Sequence, residues 1–181
     1  MKGVHHSKRE AYDHYLPKDI YPFNSINFKN LAPACHDCNS PYKSTKDPLH
    51  DKNGNRRKAF YSYASKDAEI SIEMEINRDS LEDLTPKDID LKFTSCKHME
   101  EIETWKDIFG IEERYKAKCI GDTAKYWETQ VLDEMVEYGF TQQEALNKLK
   151  KQASRFPFQN SNFLKIAFLE ACERKNLFCN S

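Results

Sequence analysis

From residue 70 the apolar positions fall on every second residue: Ile70, Ile72, Met74 and Ile76 stand against Ser71, Glu73 and Glu75. Period two marks a strand with one buried face. Ile89, Leu91 and Phe93 repeat the pattern against Asp90 and Lys92, so the two runs are expected to pair as a hairpin across the polar link 77–87. Glu73 and Glu75 then form the solvent face of a strand, and do not read as a carboxylate pair for general acid/base work. Beyond Cys96 the spacing turns helical. Trp105, Ile108, Phe109 and Tyr115 follow one face, and Ala124, Trp127, Val131, Met135 and Tyr138 another. Thr141 and Glu144 are spaced as a capping box for a helix carrying Leu146, Leu149 and Ala153, which Phe156-Pro157 then ends. Residues 162–176 are apolar over most of a helical circumference, so that helix is either central in a core, the commoner case, or covered by a partner.

The first third of the chain lacks such periodicity and is punctuated by prolines. Residues 11–15 read as extended, Pro17 and Pro22 force a loop, and residues 26–31 read as a second extended run. After Pro33 the stretch Cys35-His36-Asp37-Cys38-Asn39 is expected to open a short helix with Asn39 and Lys43 four residues apart on one face. Residues 44–66 are turn-rich and basic, with a tight turn at Asn53-Gly54. Arg56, Arg57 and Lys58 are candidates for nucleic-acid backbone contacts. Phe60, Tyr61 and Tyr63 are expected to face the core from a following strand, and His50 to lie at the surface.

Composition narrows the classes. At 181 residues, with a mean hydropathy of −0.84 and 31% charged residues, the chain reads as a soluble protein with no membrane-spanning run. No apolar leader is visible, which points to the cytoplasm and to six cysteines kept as thiols. Cys119, Cys172 and Cys179 read as packing residues or free thiols. There is no phosphate-cradling Gly-rich loop, no Gly-x-Ser-x-Gly and no internal repeat. The net charge of −1 conceals an asymmetry: residues 1–66 hold 12 Lys/Arg against 6 Asp/Glu, net +6, and residues 67–181 hold 16 against 23, net −7. A basic N-terminal part suits a phosphate-bearing partner.

The Asp13-His14 pair, the proline-bearing loop, Asn30-Leu31-Ala32-Pro33, Cys35-x-x-Cys38-Asn39 and the downstream Lys43 together resemble the HNH endonucleases, the ββα-metal nucleases. Taken singly, each of these residues is more often surface or turn former. The resemblance covers about the first third of the chain. It implies that His14 is the general base activating water toward a phosphodiester, that Asp13 and Asn39 hold one Mg²⁺ or Mn²⁺, and that Asn30 braces the loop that aims His14. Lys43 joins Arg56, Arg57 and Lys58 as a backbone contact. Cys35 and Cys38 are half of a structural zinc site, to be completed by His5 and His6 or by Cys96 and His98; two reduced thiols packed behind the helix are the alternative.

The expected architecture is therefore α+β, with an N-terminal ββα-metal module in residues 1–66, then a short β-hairpin and a helical bundle of about four helices in residues 67–181. The expected activity is metal-dependent hydrolysis of nucleic acid, with DNA placed ahead of RNA. Compact chains of this kind resemble nuclease subunits of bacterial anti-phage systems, including Septu-type pairs in which an ATPase partner controls the nuclease. By that resemblance the acidic bundle and its apolar last helix are the docking surface for a regulatory protein. The rival from another class is a non-catalytic zinc knuckle that only binds nucleic acid.

Overall fold

The structure, a computed structural model, describes residues 11–36, 38–65 and 68–178. His5 and His6, the boundary at residue 66 and Cys179 lie outside the described residues. The protein is α+β and divides into two compact units, Met1–Glu69 with Ser95–Ile111, and Ile70–Thr94 with Glu112–Ser181. The chain crosses between them more than once, which differs from a single division at residue 66.

The first unit is built on two short strands, β1 (Ala11–His14) and β2 (Leu31–Ala34), paired antiparallel with Asp13 opposite Ala32 and His14 opposite Leu31. The second extended run therefore starts at Leu31 and not at Ile26. Residues before it coil into a 3₁₀ turn, Phe28–Asn30, because the Asn27 side chain accepts the Lys29 N–H at 3.0 Å and caps it. Pro33 is tolerated in β2 because a two-stranded sheet is all edge. After β2 the chain forms a π-helical segment, Cys38–Lys43, in place of the expected α-helix. Pro41 inside it has no N–H to donate, and the Ser44 N–H reaches back five residues to the Asn39 carbonyl at 2.9 Å. Helix α1 (Met99–Phe109) packs against this segment. It closes at Gly110 with φ +56, where a Cβ would come within 2.6 Å of the Tyr42 ring. Residues 57–65 form no strand. Phe60 meets Trp105 edge-on at 6.1 Å as expected of a packed aromatic, whereas Tyr61 and Tyr63 are exposed.

The second unit contains the hairpin in the expected register, β3 (Ser71–Ile76) with β4 (Ile89–Thr94), pairing Met74 with Leu91 and Ile76 with Ile89. Glu73 lies opposite Lys92 on the exposed face. Helices α2 (Ile111–Lys118, of which Ile111 belongs to the first unit), α3 (Gly121–Tyr138), α4 (Gln142–Ser154) and α5 (Asn162–Lys175) complete it. The Thr141–Glu144 capping box forms reciprocally at the start of α4. α5 packs on β3 and α4 with Leu164, Phe168, Leu169 and Cys172 fully buried, and Trp127 of α3 meets Phe168 at a tilt, ring centroids 5.2 Å apart. The apolar circumference of α5 is thus the centre of this unit's core, which corrects the expectation of α5 as a docking surface. Cys119 and Cys172 are buried packing residues, and burial pushes the Cys119 thiol up to about 12. Among the described residues, no helix is long and apolar enough to cross a membrane.

Candidate active site at the end of the first hairpin

A strand alternates its side chains between faces, so adjacent Asp13 and His14 diverge from the end of β1. Asp13 turns inward and is buried. Its Oδ1 accepts from the Lys43 ammonium at 3.0 Å, and the same ammonium donates to the His14 carbonyl at 2.6 Å. Lys43, expected as a contact to a nucleic-acid backbone, is only 2% exposed and is committed to the end of β1. The π-helical register carries it there, and the pair neutralises a carboxylate that burial would otherwise penalise. Asp13 Oδ2 accepts no hydrogen bond among the described residues, so one oxygen is open to a further cation.

His14 is half-buried, and its Nε2 lies 3.1 Å from the Ser25 carbonyl. A carbonyl only accepts, so Nε2 carries the proton and the neutral ring keeps its lone pair on Nδ1. Ser25 is held in turn by the long loop between β1 and β2. The buried Asn30 ties that loop together: its Oδ1 accepts the Leu16 N–H at 2.7 Å, and its Nδ2 donates to the Leu16 and Asn24 carbonyls at 3.1 Å each. Its own carbonyl accepts from the Tyr15 N–H at 2.7 Å. Asn39 is half-buried on the π-helical segment, its backbone bonded to Cys35 and Ser44.

A second cluster lies against the same loop and was not singled out from the sequence. The Tyr21 hydroxyl donates to Asp47 Oδ2 at 2.8 Å, and His50 Nδ1 meets that oxygen at 2.9 Å. Burial raises the Asp47 carboxyl, but the Leu49 amide, His50 and Tyr21 together hold it below its ordinary value. Burial and the bond to Asp47 push the Tyr21 hydroxyl up to about 12. His50 is exposed as expected, yet oriented by Asp47. Nothing local in Tyr21, Asp47 and His50 announces this meeting across 26 and 29 residues.

The basic triplet separates into different fates. Arg57 donates to Asp107 Oδ2 at 2.6 Å and to the Asp47 carbonyl at 2.8 Å, which makes it a structural cross-link. Lys58 pairs with Glu100 at 3.2 Å on the surface. Arg56 is exposed. As for zinc, no three His, Cys, Asp or Glu side chains gather among the described residues, so Cys96 and His98 are not brought to Cys35 and Cys38.

One stretch of the chain is similar to a named bacterial protein, the Septu protein PtuB of Bacillus thuringiensis. The identity is 41% over 46 residues, which is 24% of this chain and 18% of the length of that protein. The likeness is thus confined to a fraction of either chain. No protein-family model and no solved structure matches the chain.

Proposed function

We propose that the first unit is a nuclease centre that hydrolyses phosphodiester bonds with the aid of a divalent cation, in the setting of bacterial anti-phage defence. The observation that carries this reading is the geometry of His14: a half-buried imidazole whose Nε2 meets the Ser25 carbonyl, which leaves Nδ1 to take a proton from water. Asn30 serves as a positioning residue, since its three side-chain bonds fix the loop from which Ser25 accepts. The similarity to a Septu protein supports the defence setting, and the proposal includes a regulatory protein partner such as an ATPase.

Asp13 Oδ2 and the Asn39 carboxamide supply hard oxygen donors, which suit Mg²⁺ or Mn²⁺. Such a cation, when bound, would stabilise charge on the phosphate and the departing oxygen. Lys43 fixes the Asp13 carboxylate in its buried place, and so shapes the donor set without touching substrate. DNA is placed ahead of RNA as substrate, and one module of this kind cuts one strand per event. A zinc knuckle closed by Cys96 and His98 gains nothing from the geometry, since no three such side chains gather among the described residues.

The deciding experiment is cleavage of supercoiled plasmid, and of total RNA in parallel, with Mg²⁺, Mn²⁺ or EDTA, beside His14→Ala. Metal-dependent cutting lost in the variant is expected, by about 10²-fold or more for removal of a general base. Equal cutting by both proteins would remove His14 from the chemistry.

A further inference from the structure

The loop between β1 and β2 turns its largest apolar side chains outward. Phe23 is 96% exposed, Ile26 86% and Phe28 85%, with Ile20 also exposed. Single exposed apolar residues are ordinary, but four within nine consecutive positions of one loop form a patch. The loop is not slack. Asn30 ties it to Leu16 and Asn24, Tyr21 ties it to Asp47, and the Tyr61 hydroxyl donates to the Lys29 carbonyl at 2.8 Å. The two phenylalanines are therefore presented on a fixed backbone, which lowers the ordering cost of any contact they make.

Charge identifies the occupant. Within residues 11–65, Lys43, Arg57 and Lys58 are paired with Asp13, Asp107 and Glu100, and Lys46 donates to the Asp107 carbonyl. Lys18, Lys29, Lys52 and Arg56 are exposed and make no ion pair among the described residues. Lys18 and Lys29 bracket the apolar stretch. Fixed aromatic faces between two outward cations match a single strand of nucleic acid, whose bases stack and whose phosphates need positive charge.

We propose that the loop of residues 18–29 is a stacking platform for unpaired bases, with Phe23 and Phe28 against base faces and Lys18 and Lys29 on the flanking phosphates. The proposal rests on the nuclease reading above and names its substrate class: a single-stranded or locally unpaired stretch. Ser25, between the two phenylalanines, accepts from His14, so a strand held on this loop runs beside the proposed base.

The test is fluorescence anisotropy of labelled single-stranded and blunt duplex oligonucleotides with the full chain in EDTA, where no cutting is needed. Phe23→Ala and Phe28→Ala should each weaken single-strand binding about 5- to 100-fold while leaving the salt dependence unchanged. Lys18→Ala with Lys29→Ala should lower the slope of log affinity against log salt by about 0.7 per lost contact. Unchanged far-ultraviolet circular dichroism and melting are expected, since all four side chains are exposed. Wild-type affinity in the phenylalanine variants, preference for the duplex, or no binding of either oligonucleotide would overturn the proposal, the last returning the patch to a protein contact. Measuring His14→Ala alongside separates the two readings: Phe-dependent binding without plasmid cutting sinks the nuclease alone, and cutting without Phe-dependent binding sinks the platform alone.

Discussion

At the residue scale, Lys43 is the side chain on which the end of β1 depends. It is fully enclosed, and its ammonium serves one carboxylate and one carbonyl at once. Removing one partner of a buried pair leaves the other charge uncompensated, at a cost of about 3–5 kcal/mol. Lys43→Ala is therefore expected to destabilise the first unit on that scale in urea unfolding. Lys58→Ala, whose pair with Glu100 is exposed, should cost less than about 1 kcal/mol. Asp47 gives a pH signature. Its folded carboxyl titrates below the ordinary value, so its contribution is present above the unfolded pKa of about 4 and fades as pH falls through the folded one. Asp47→Asn should lower stability at neutral pH, and the difference from wild type should shrink in acid, as thermal melts at pH 7 and pH 3 would show.

At the element scale, two termini carry checkable energies. Gly110 closes α1 with a left-handed backbone and lies where a Cβ would strike the ring of Tyr42, the residue before Lys43 at the end of the π-helical segment. Gly110→Ala combines a conformational cost of about 1–2 kcal/mol with overpacking of about 1–3 kcal/mol. It is expected to disturb the placement of Lys43 as well as stability. Thr141→Ala removes one arm of the capping box of α4 and should cost about 0.5–2 kcal/mol. Being remote in sequence from His14, it should leave cleavage intact. The hairpin of β3 and β4 and the cap of α4 were legible because period two and the Thr-x-x-Glu spacing are local signals. The π-helical turn was not, because nothing in Cys38 to Lys43 other than Pro41 distinguishes it from an α-helical start until α1 packs on it.

At the scale of the whole molecule, the charge division acquires a structural meaning. The basic excess of the first 66 residues is partly consumed by internal ion pairs and by the Lys46 bond to the Asp107 carbonyl, and in the described part of that stretch four exposed cations, Lys18, Lys29, Lys52 and Arg56, remain without an internal side-chain partner. If each met one phosphate of a single strand, log affinity would fall with log salt with a slope of about −3. A slope near zero in a salt titration would mean that the asymmetry does not serve nucleic acid. Core truncation should have the converse profile. Phe168→Ala in α5, packed against Trp127, should cost about 3–5 kcal/mol of the second unit's stability.

The sequence by itself determined the elements whose signals repeat along the chain: the paired strands of the hairpin, the capped helix, the all-round apolar last helix and the ordered run from Asp13 to Lys43. Each follows from burial or backbone chemistry that acts over a few residues. Tertiary structure decided what those residues meet. Only folding brought Lys43 under Asp13, set Ser25 against His14, joined Tyr21 to Asp47, and spent Arg57 on Asp107 while leaving Arg56 outside. The physical reason is that a charged or polar side chain is assigned by whichever partner folding brings near, and in this first unit those partners lie 11 to 50 residues away.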